Sequence, residues 1–218
     1  MKTLNKYIQE KLIINKDYKY YRYHDNMIVV NSFDELRNII EDRYDKLGPG
    51  TEQKPIDFND IDVSNIDSFC NDKGKGIFEE TKFKYIDISD WDVSSVTNML
   101  SMFYKCNTLK SVGDISYWNV SNVTNMAYMF TDCVNFNQNI SRWNVSRVTD
   151  MSYMFYGCVN FNQNISSWDV SKVKDMCAMF KFCKSFNQDI SNWDVSKVRQ
   201  HVCTFEGCPI KEEYKPKF

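Results

Sequence analysis

The stretch from Phe136 to Cys158 reads Phe-Asn-Gln-Asn-Ile-Ser-Arg-Trp-Asn-Val-Ser-Arg-Val-Thr-Asp-Met-Ser-Tyr-Met-Phe-Tyr-Gly-Cys, and it recurs from Phe161 and again from Phe186. The five tryptophans, Trp91, Trp118, Trp143, Trp168 and Trp193, are spaced by 27, 25, 25 and 25 residues, and Cys106, Cys133, Cys158, Cys183 and Cys208 follow the same intervals. A fixed period in this range is the mark of stacked repeats. In one copy the apolar positions are Phe161, Ile165, Trp168, Val170, Val173, Met176, Met179, Phe180 and Cys183. Ordering about 25 residues costs more backbone entropy than these side chains return when a single copy stands alone. Neighbouring copies must therefore bury one another's faces, and the expected fold class is an α/β repeat solenoid.

Within the copy, Met176, Met179, Phe180 and Cys183 fall at i, i+3, i+4 and i+7, which predicts a short helix. The stretch Asn162-Gln163-Asn164-Ile165-Ser166 has no helical period and carries a β-branched residue, which predicts a short strand. Each coil is thus expected to run strand, turn, short helix, turn. The columns Asn137, Asn162, Asn187 and Gln138, Gln163, Gln188 can form side-chain ladders from coil to coil.

Working outward, the pattern decays at both ends. His201 and Thr204 stand in the two Met columns of the last copy, Phe205 and Cys208 are kept, and Pro209 stops the pattern. Upstream, Ile61-Asp62-Val63-Ser64-Asn65-Ile66 echoes the Trp-Asp-Val-Ser-x-Val phrase without its tryptophan, and Asn71–Gly76 reads as an insertion. Residues 1–56 hold no repeat. Leu4, Ile8, Leu12 and Ile13 suggest an amphipathic helix and Tyr18 to Tyr23 a strand. Ser32 with Glu35 gives a capping-box signal ahead of the face Phe33, Leu36, Ile40, Tyr44 and Leu47, ended by Gly48-Pro49-Gly50. The expected organisation is a small N-terminal α/β cap or docking domain at 1–56, a divergent first repeat at 57–84, 25-residue repeats at 85–208, and a tail at 209–218. Residues 1–16 could also dock on a partner as a helix in a groove.

The phrase Phe-Asn-Gln-Asp-Ile-Ser-Asn-Trp-Asp-Val-Ser-Lys-Val at Phe186–Val198, with Met-Ser-Tyr-Met-Phe-Tyr-Gly-Cys at Met151–Cys158, resembles the BspA-like leucine-rich-repeat surface-protein family, whose 25-residue repeat is also found in Mycoplasma lipoproteins. The resemblance covers residues 85–208 well and 57–84 weakly. It implies a leucine-rich-repeat-like right-handed coil of short strands and short helices, and a binding rather than a catalytic role. Family members are often displayed on bacterial surfaces. No signal peptide, lipobox or anchoring tail is visible in this sequence, so the expected location is cytoplasmic or virion-associated rather than surface-displayed. Chains of this kind look like ones carried by gut bacteria and their phages.

Composition narrows the chemistry. The formal net charge is −2 over 218 residues, which gives no electrostatic reason to expect nucleic acid. Apolar runs fall far short of the roughly 20 residues of a membrane span. Five of the eight cysteines occupy one repeat column after an apolar face, where a small buried thiol packs well. Zinc-type paired spacing is absent, so buried free thiols are favoured over disulfides or metal. Cys177 and Cys203 lie outside the column and are the candidates for reactivity. The Met columns read as core. His24 and His201, the only histidines, supply no Ser-His-Asp grouping. Neither Gly48-Pro49-Gly50 nor Gly74-Lys75-Gly76 has the Lys-Ser/Thr of a phosphate loop. The columns Asn139, Asn164, Asp189 and Asn144, Asp169, Asp194 could recruit calcium, but the glycine-rich calcium repeat is missing. No cofactor, metal or catalytic residue is expected, and the chain is not expected to be an enzyme.

The informative positions are those the scaffold leaves free. One column carries Ser95, Asn122, Arg147, Lys172 and Lys197, and another Thr97, Thr124, Thr149, Lys174 and Arg199. Together they form a stripe that becomes basic toward the C-terminal end. A third carries Ser101, Tyr128, Tyr153, Ala178 and Cys203, with Tyr104 and Tyr156 nearby. Tyr and Arg are enriched at interface anchors. The candidate partner-binding residues are therefore Tyr128, Tyr153, Tyr104, Tyr156, Arg147, Lys172, Lys174, Lys197 and Arg199; the alternative is a solvated face. The leading expectation is a non-catalytic interaction module that binds another protein. The alternatives are a phage or bacterial effector that inhibits a host enzyme or defence factor by direct binding, and a surface adhesin.

Overall fold

The structure is a computed structural model that describes residues 27–218. The expectations for residues 1–16, for Tyr18–Tyr23 and for His24 lie outside the described residues. Regular elements are few: β1 (Ile28–Val29), α1 (Phe33–Leu47), β2 (Ile56–Asp57), β3 (Ile61–Asp62), β4 (Ile86–Asp87) and a 3-10 turn at Glu212–Tyr214. β1 pairs in parallel with β3, and β2 with β4.

From residue 98 onward, order comes from one backbone pattern repeated coil after coil. Parallel bridges join Asn98, Asn125, Asp150, Asp175 and Gln200 in a single column. Beyond each bridge, every second N–H reaches the next coil. Met151, Tyr153, Phe155 and Gly157 donate to the carbonyls of Asp175, Cys177, Met179 and Lys181 at 2.8–3.0 Å. Met176, Ala178, Phe180 and Phe182 donate likewise to Gln200, Val202, Thr204 and Glu206 at 2.8–2.9 Å. The intervening N–H groups close local turns, Met154 to Met151, Tyr156 to Tyr153 and Cys158 to Phe155.

This pattern corrects the expected helix. Met176–Cys183 and its equivalents are chains of tight turns, with Tyr153 at φ 57° and Gly157 at φ 68° as third residues of i→i+3 turns, the type II signature. The apolar face is as expected, since Met176, Met179, Phe180 and Cys183 are all buried. Successive three-residue turns bring i, i+3, i+4 and i+7 to one side as a helix would, but they leave alternate N–H groups free to bond the next coil. The expected strand at Asn162–Ser166 is also absent. There the coils are tied through side chains. Asn137 Oδ1 accepts from the Asn162 N–H at 3.0 Å and from Gln163 Nε2 at 2.9 Å, and Asn162 repeats both bonds with Asn187 and Gln188. A backbone bridge does not form where an amide side chain takes the N–H.

The interior is a set of stacked columns. The rings of Phe78, Phe103, Phe130, Phe155, Phe180 and Phe205 lie face to face at 5.3–5.9 Å. Each indole N–H donates to a backbone carbonyl one coil earlier, Trp143 to Ile115 at 2.9 Å and Trp168 to Ile140 at 3.1 Å. Cys106, Cys133, Cys158 and Cys183 do the same with a thiol, for example Cys158 to Phe130 at 2.9 Å and Cys183 to Phe155 at 2.8 Å. So the polar atoms of the buried Trp and Cys are satisfied between coils, which removes the usual cost of burying them.

Upstream, Ser32 caps α1 by accepting from the Glu35 N–H, and Gly48 at φ 72° ends it with its N–H on the Tyr44 carbonyl. Leu36 and Ile40 enter the core beside Val30, while Leu47 is exposed. Arg37 donates to the Ile77 carbonyl at 2.7 Å, and Arg43 forks onto Asp60 at 2.7 Å over the Phe58 ring. Downstream, the tail folds back: Ile190 donates to the Tyr214 carbonyl, Lys211 to Asn187 Oδ1, and Phe218 stacks on His201 at 4.4 Å.

Gly157 tests the turn geometry. A Cβ there would stand 2.3 Å from Asp132 Oδ1, on a backbone at φ 68°. Gly157→Ala is expected to lose about 1–2 kcal/mol, lowering the melting temperature by roughly 2–8 °C in a calorimetric scan. An unchanged melting temperature would contradict the left-handed turn.

Candidate interaction surface

The residues of the free columns are placed by the same turns. Ser101, Tyr128, Tyr153, Ala178 and Cys203 occupy equivalent turn positions, all at positive φ between 50° and 59°. Their N–H groups are fixed on the next coil where there is one, so each side chain leaves the coil at the same angle. Tyr128 and Tyr153 stack at 4.7 Å with planes 4° apart. Tyr104 meets Tyr128 edge-on at 6.2 Å, and Tyr156 lies 5.9 Å from Tyr153. The four tyrosines named from sequence thus form one continuous, half-buried strip.

The strip extends further than the sequence suggested. Phe182 closes its far end, edge-on to Tyr156 at 5.5 Å. Lys105 sits over Tyr104 at 4.9 Å, and Lys181 and Lys184 over Phe182 at 5.1 and 5.2 Å. Asp132 lies in the same column as Lys105 and Phe182, and burial raises its carboxyl above the ordinary range. Burial also raises the Tyr128 phenol. Lys105 is bonded to Glu80 and Lys181 to Glu206, so both ends of the strip carry ion pairs. The signal for Phe182 was its column, Lys105, Asp132, Gly157, Phe182 and Gly207, which holds four different residue types in five coils.

The basic residues are placed apart. Arg147 is exposed and donates to Asn122 Oδ1 at 3.0 Å, and Asn122 in turn donates to the Ser94 carbonyl, so this column also links coils. Lys172 and Lys197 are exposed in the same column. Lys174 and Arg199 are exposed, with backbone N–H groups bonded to Thr149 and Lys174. Among the described residues, no ring contact or hydrogen bond joins these five to the tyrosines.

The acidic and amide columns are explained locally. Asn164, Asp169, Asp189 and Asp194 each accept the N–H two residues on, from Ser166, Ser171, Ser191 and Ser196. Bonds from these serines hold Asp169, Asp189 and Asp194 below the usual carboxylate range. The Asn/Asp-x-Ser phrase is therefore turn chemistry.

A family profile described as "Mycoplasma protein of unknown function, DUF285" matches residues 72–175 and 140–212, which together span more than half of the chain. The chain belongs to the DUF285 family. The matched residues take in the described coils from the insertion at Asn71–Gly76 to the start of the folded-back tail. No curated protein and no solved structure matches the DUF285 chain.

All eight cysteines are free. Burial pushes the Cys106 thiol up to about 11, and raises Cys133, Cys158 and Cys183 further. Cys203 is exposed, and the neighbouring Glu206 carboxylate raises its thiol by accepting its proton in a hydrogen bond. Only the thiolate reacts. With a thiol reagent at pH 8, Cys203 is expected to label first while Cys133, Cys158 and Cys183 stay unmodified until denaturant is added. Glu206→Gln removes the charge that opposes ionisation and should accelerate labelling at Cys203. Prompt native labelling of Cys158, read by peptide mass spectrometry, would contradict the buried thiol column.

Proposed function

We propose that the protein is a non-catalytic interaction module that presents the strip Tyr104–Tyr128–Tyr153–Tyr156–Phe182 to another protein. The observation that carries this reading is the strip itself. It holds five aromatic side chains from successive coils, half-buried and in ring contact, with lysines stacked at both ends. Pre-ordered aromatic side chains lose little conformational entropy on binding, and they dominate hot spots at interfaces. A rigid column of them on a repeat scaffold suits an extended partner surface.

In this reading the scaffold is a leucine-rich-repeat-like right-handed solenoid of the BspA-like type. Support for it comes from the parallel bridges, which recur at intervals of 25 to 27 residues from Asn98 to Gln200, and the single buried ladder of each apolar column.

Tyr128→Ala/Tyr153→Ala tests the proposal. Ala178 already occupies the same left-handed position, so the backbone tolerates alanine there. The double variant should lose only the ring stacking, about 0.5–1.5 kcal/mol. In quantitative affinity purification, a protein retained by the full chain should fall at least tenfold with the double variant while the melting temperature shifts by a few degrees at most. Identical retention by both proteins would overturn the strip as the binding surface, and a collapse of the melting temperature would show the two tyrosines to be core.

A further inference from the structure

One charged group of the tyrosine strip has no partner. The column Lys105, Asp132, Gly157, Phe182 and Gly207 runs beside the tyrosines. A Cβ at Gly157 would meet Asp132 Oδ1 at 2.3 Å, and one at Gly207 would meet the Phe182 ring at 2.7 Å. The Asp132 carboxylate therefore lies over Gly157, on a residue at φ 58° whose N–H donates to the Tyr156 carbonyl at 2.7 Å. Tyr156 precedes that glycine in the chain and Phe182 follows it in the column, so the carboxylate belongs to the part of the strip where these two rings meet. The other charges around the strip are already engaged. Lys105 turns back to Glu80 and the Tyr104 ring, Lys181 bonds Glu206, and Lys184 donates to the Gly207 carbonyl at 3.2 Å beside the Phe182 ring. Asp150 and Asp175 accept the N–H groups of Ser152 and Cys177. Among the described residues, the half-buried Asp132 carboxylate accepts no hydrogen bond and closes no ion pair. A charge drawn out of water without a partner is costly, and most such groups are paired.

We infer that the strip binds a basic segment of its partner protein, an arginine of which pairs with Asp132 and lies against the Tyr156 and Phe182 rings. The inference rests on the strip being the binding surface and adds the chemistry of what it binds. Charge selects the sign. An acidic segment would have to draw Lys105, Lys181 or Lys184 away from contacts they make within the chain, whereas a cation at Asp132 breaks none. A carboxylate already partly desolvated also gains more from a counter-charge than a fully hydrated one does. The rings select arginine over lysine. A guanidinium forks onto a carboxylate and stacks flat on an aromatic face, while an ammonium is a strongly hydrated point charge. Gly157 contributes by having no side chain, since a Cβ there would displace the carboxylate.

The test uses the full chain and three synthetic peptides as probes, each of four repeats of Arg-Gly-Ser, Lys-Gly-Ser or Glu-Gly-Ser, with dissociation constants read by calorimetric titration. The arginine peptide should bind, the lysine peptide more weakly, and the glutamate peptide not at all at the same concentration. Asp132→Asn keeps the shape of the side chain, and asparagine accepts a left-handed backbone. The melting temperature should therefore hold while affinity for the arginine peptide falls about tenfold or more, the worth of a hydrogen bond to a charged group. Asp189→Asn removes the same charge from the amide column and should leave the affinity unchanged. Equal loss in the two variants, full affinity with Asp132→Asn, equal binding of the glutamate peptide, or no binding of the arginine peptide at millimolar concentration would each overturn the inference. Its failure is distinct from failure of the strip. In the affinity purification, a protein lost with Tyr128→Ala/Tyr153→Ala but retained in full by Asp132→Asn would uphold the strip and overturn the arginine contact.

Discussion

Everything in this structure depends on alternate peptide N–H groups being freed from their own coil and given to the next one. A helix would keep all its hydrogen bonds within itself, and a flat strand would send them to both sides. The turns at Met151–Cys158 do neither. Three of their N–H groups close three-residue turns, that of Ser152 bonds Asp150 Oδ1, and the other four tie the coil to its neighbour at 2.8–3.0 Å. That requires left-handed residues at fixed places, and the chain accepts them even at Tyr128, Tyr153 and Phe182. A non-glycine residue in that region costs of order 1 kcal/mol or more. The cost is offset by packing, because the same turns lower Met154, Phe155 and Cys158 into a fully buried column. Backbone strain and core burial are thus two consequences of one conformation.

The side chains follow the same economy of bonding. Trp, Cys, Asn and Gln are polar residues placed where the coil spacing supplies a partner. The Trp143 indole finds a carbonyl on the previous coil, the Cys158 thiol another, and Asn137 serves the next Asn and Gln. A single coil could satisfy none of these bonds. This is a physical reason for identical residues at identical intervals, since each partner lies one period away.

Much of this was legible in the sequence. The period, the buried columns, the cap of α1 at Ser32 and the amide ladders all follow from residue identity and spacing. The local conformation did not. The spacing of Met176, Met179, Phe180 and Cys183 is shared by a helix and by a run of three-residue turns, and only the destination of the N–H groups separates them. Ile165 amid Asn and Gln suggested a strand because β-branching is visible in sequence and side-chain capture of a backbone N–H is not. For the surface, tyrosine identity revealed four members of the strip. Phe182 was hidden because it belongs to a neighbouring column, and the basic residues were grouped with the strip by composition although the coil separates them.

The most direct test of the inter-coil bonding is residue-resolved amide hydrogen exchange on the free protein. The amides of Met151, Tyr153, Phe155 and Gly157 should exchange only as slowly as global unfolding permits. Those of His201, Cys203, Phe205 and Gly207, in the same columns with no next coil, should exchange orders of magnitude faster. Equal protection of the two sets, or fast exchange at Tyr153 and Gly157, would contradict the account.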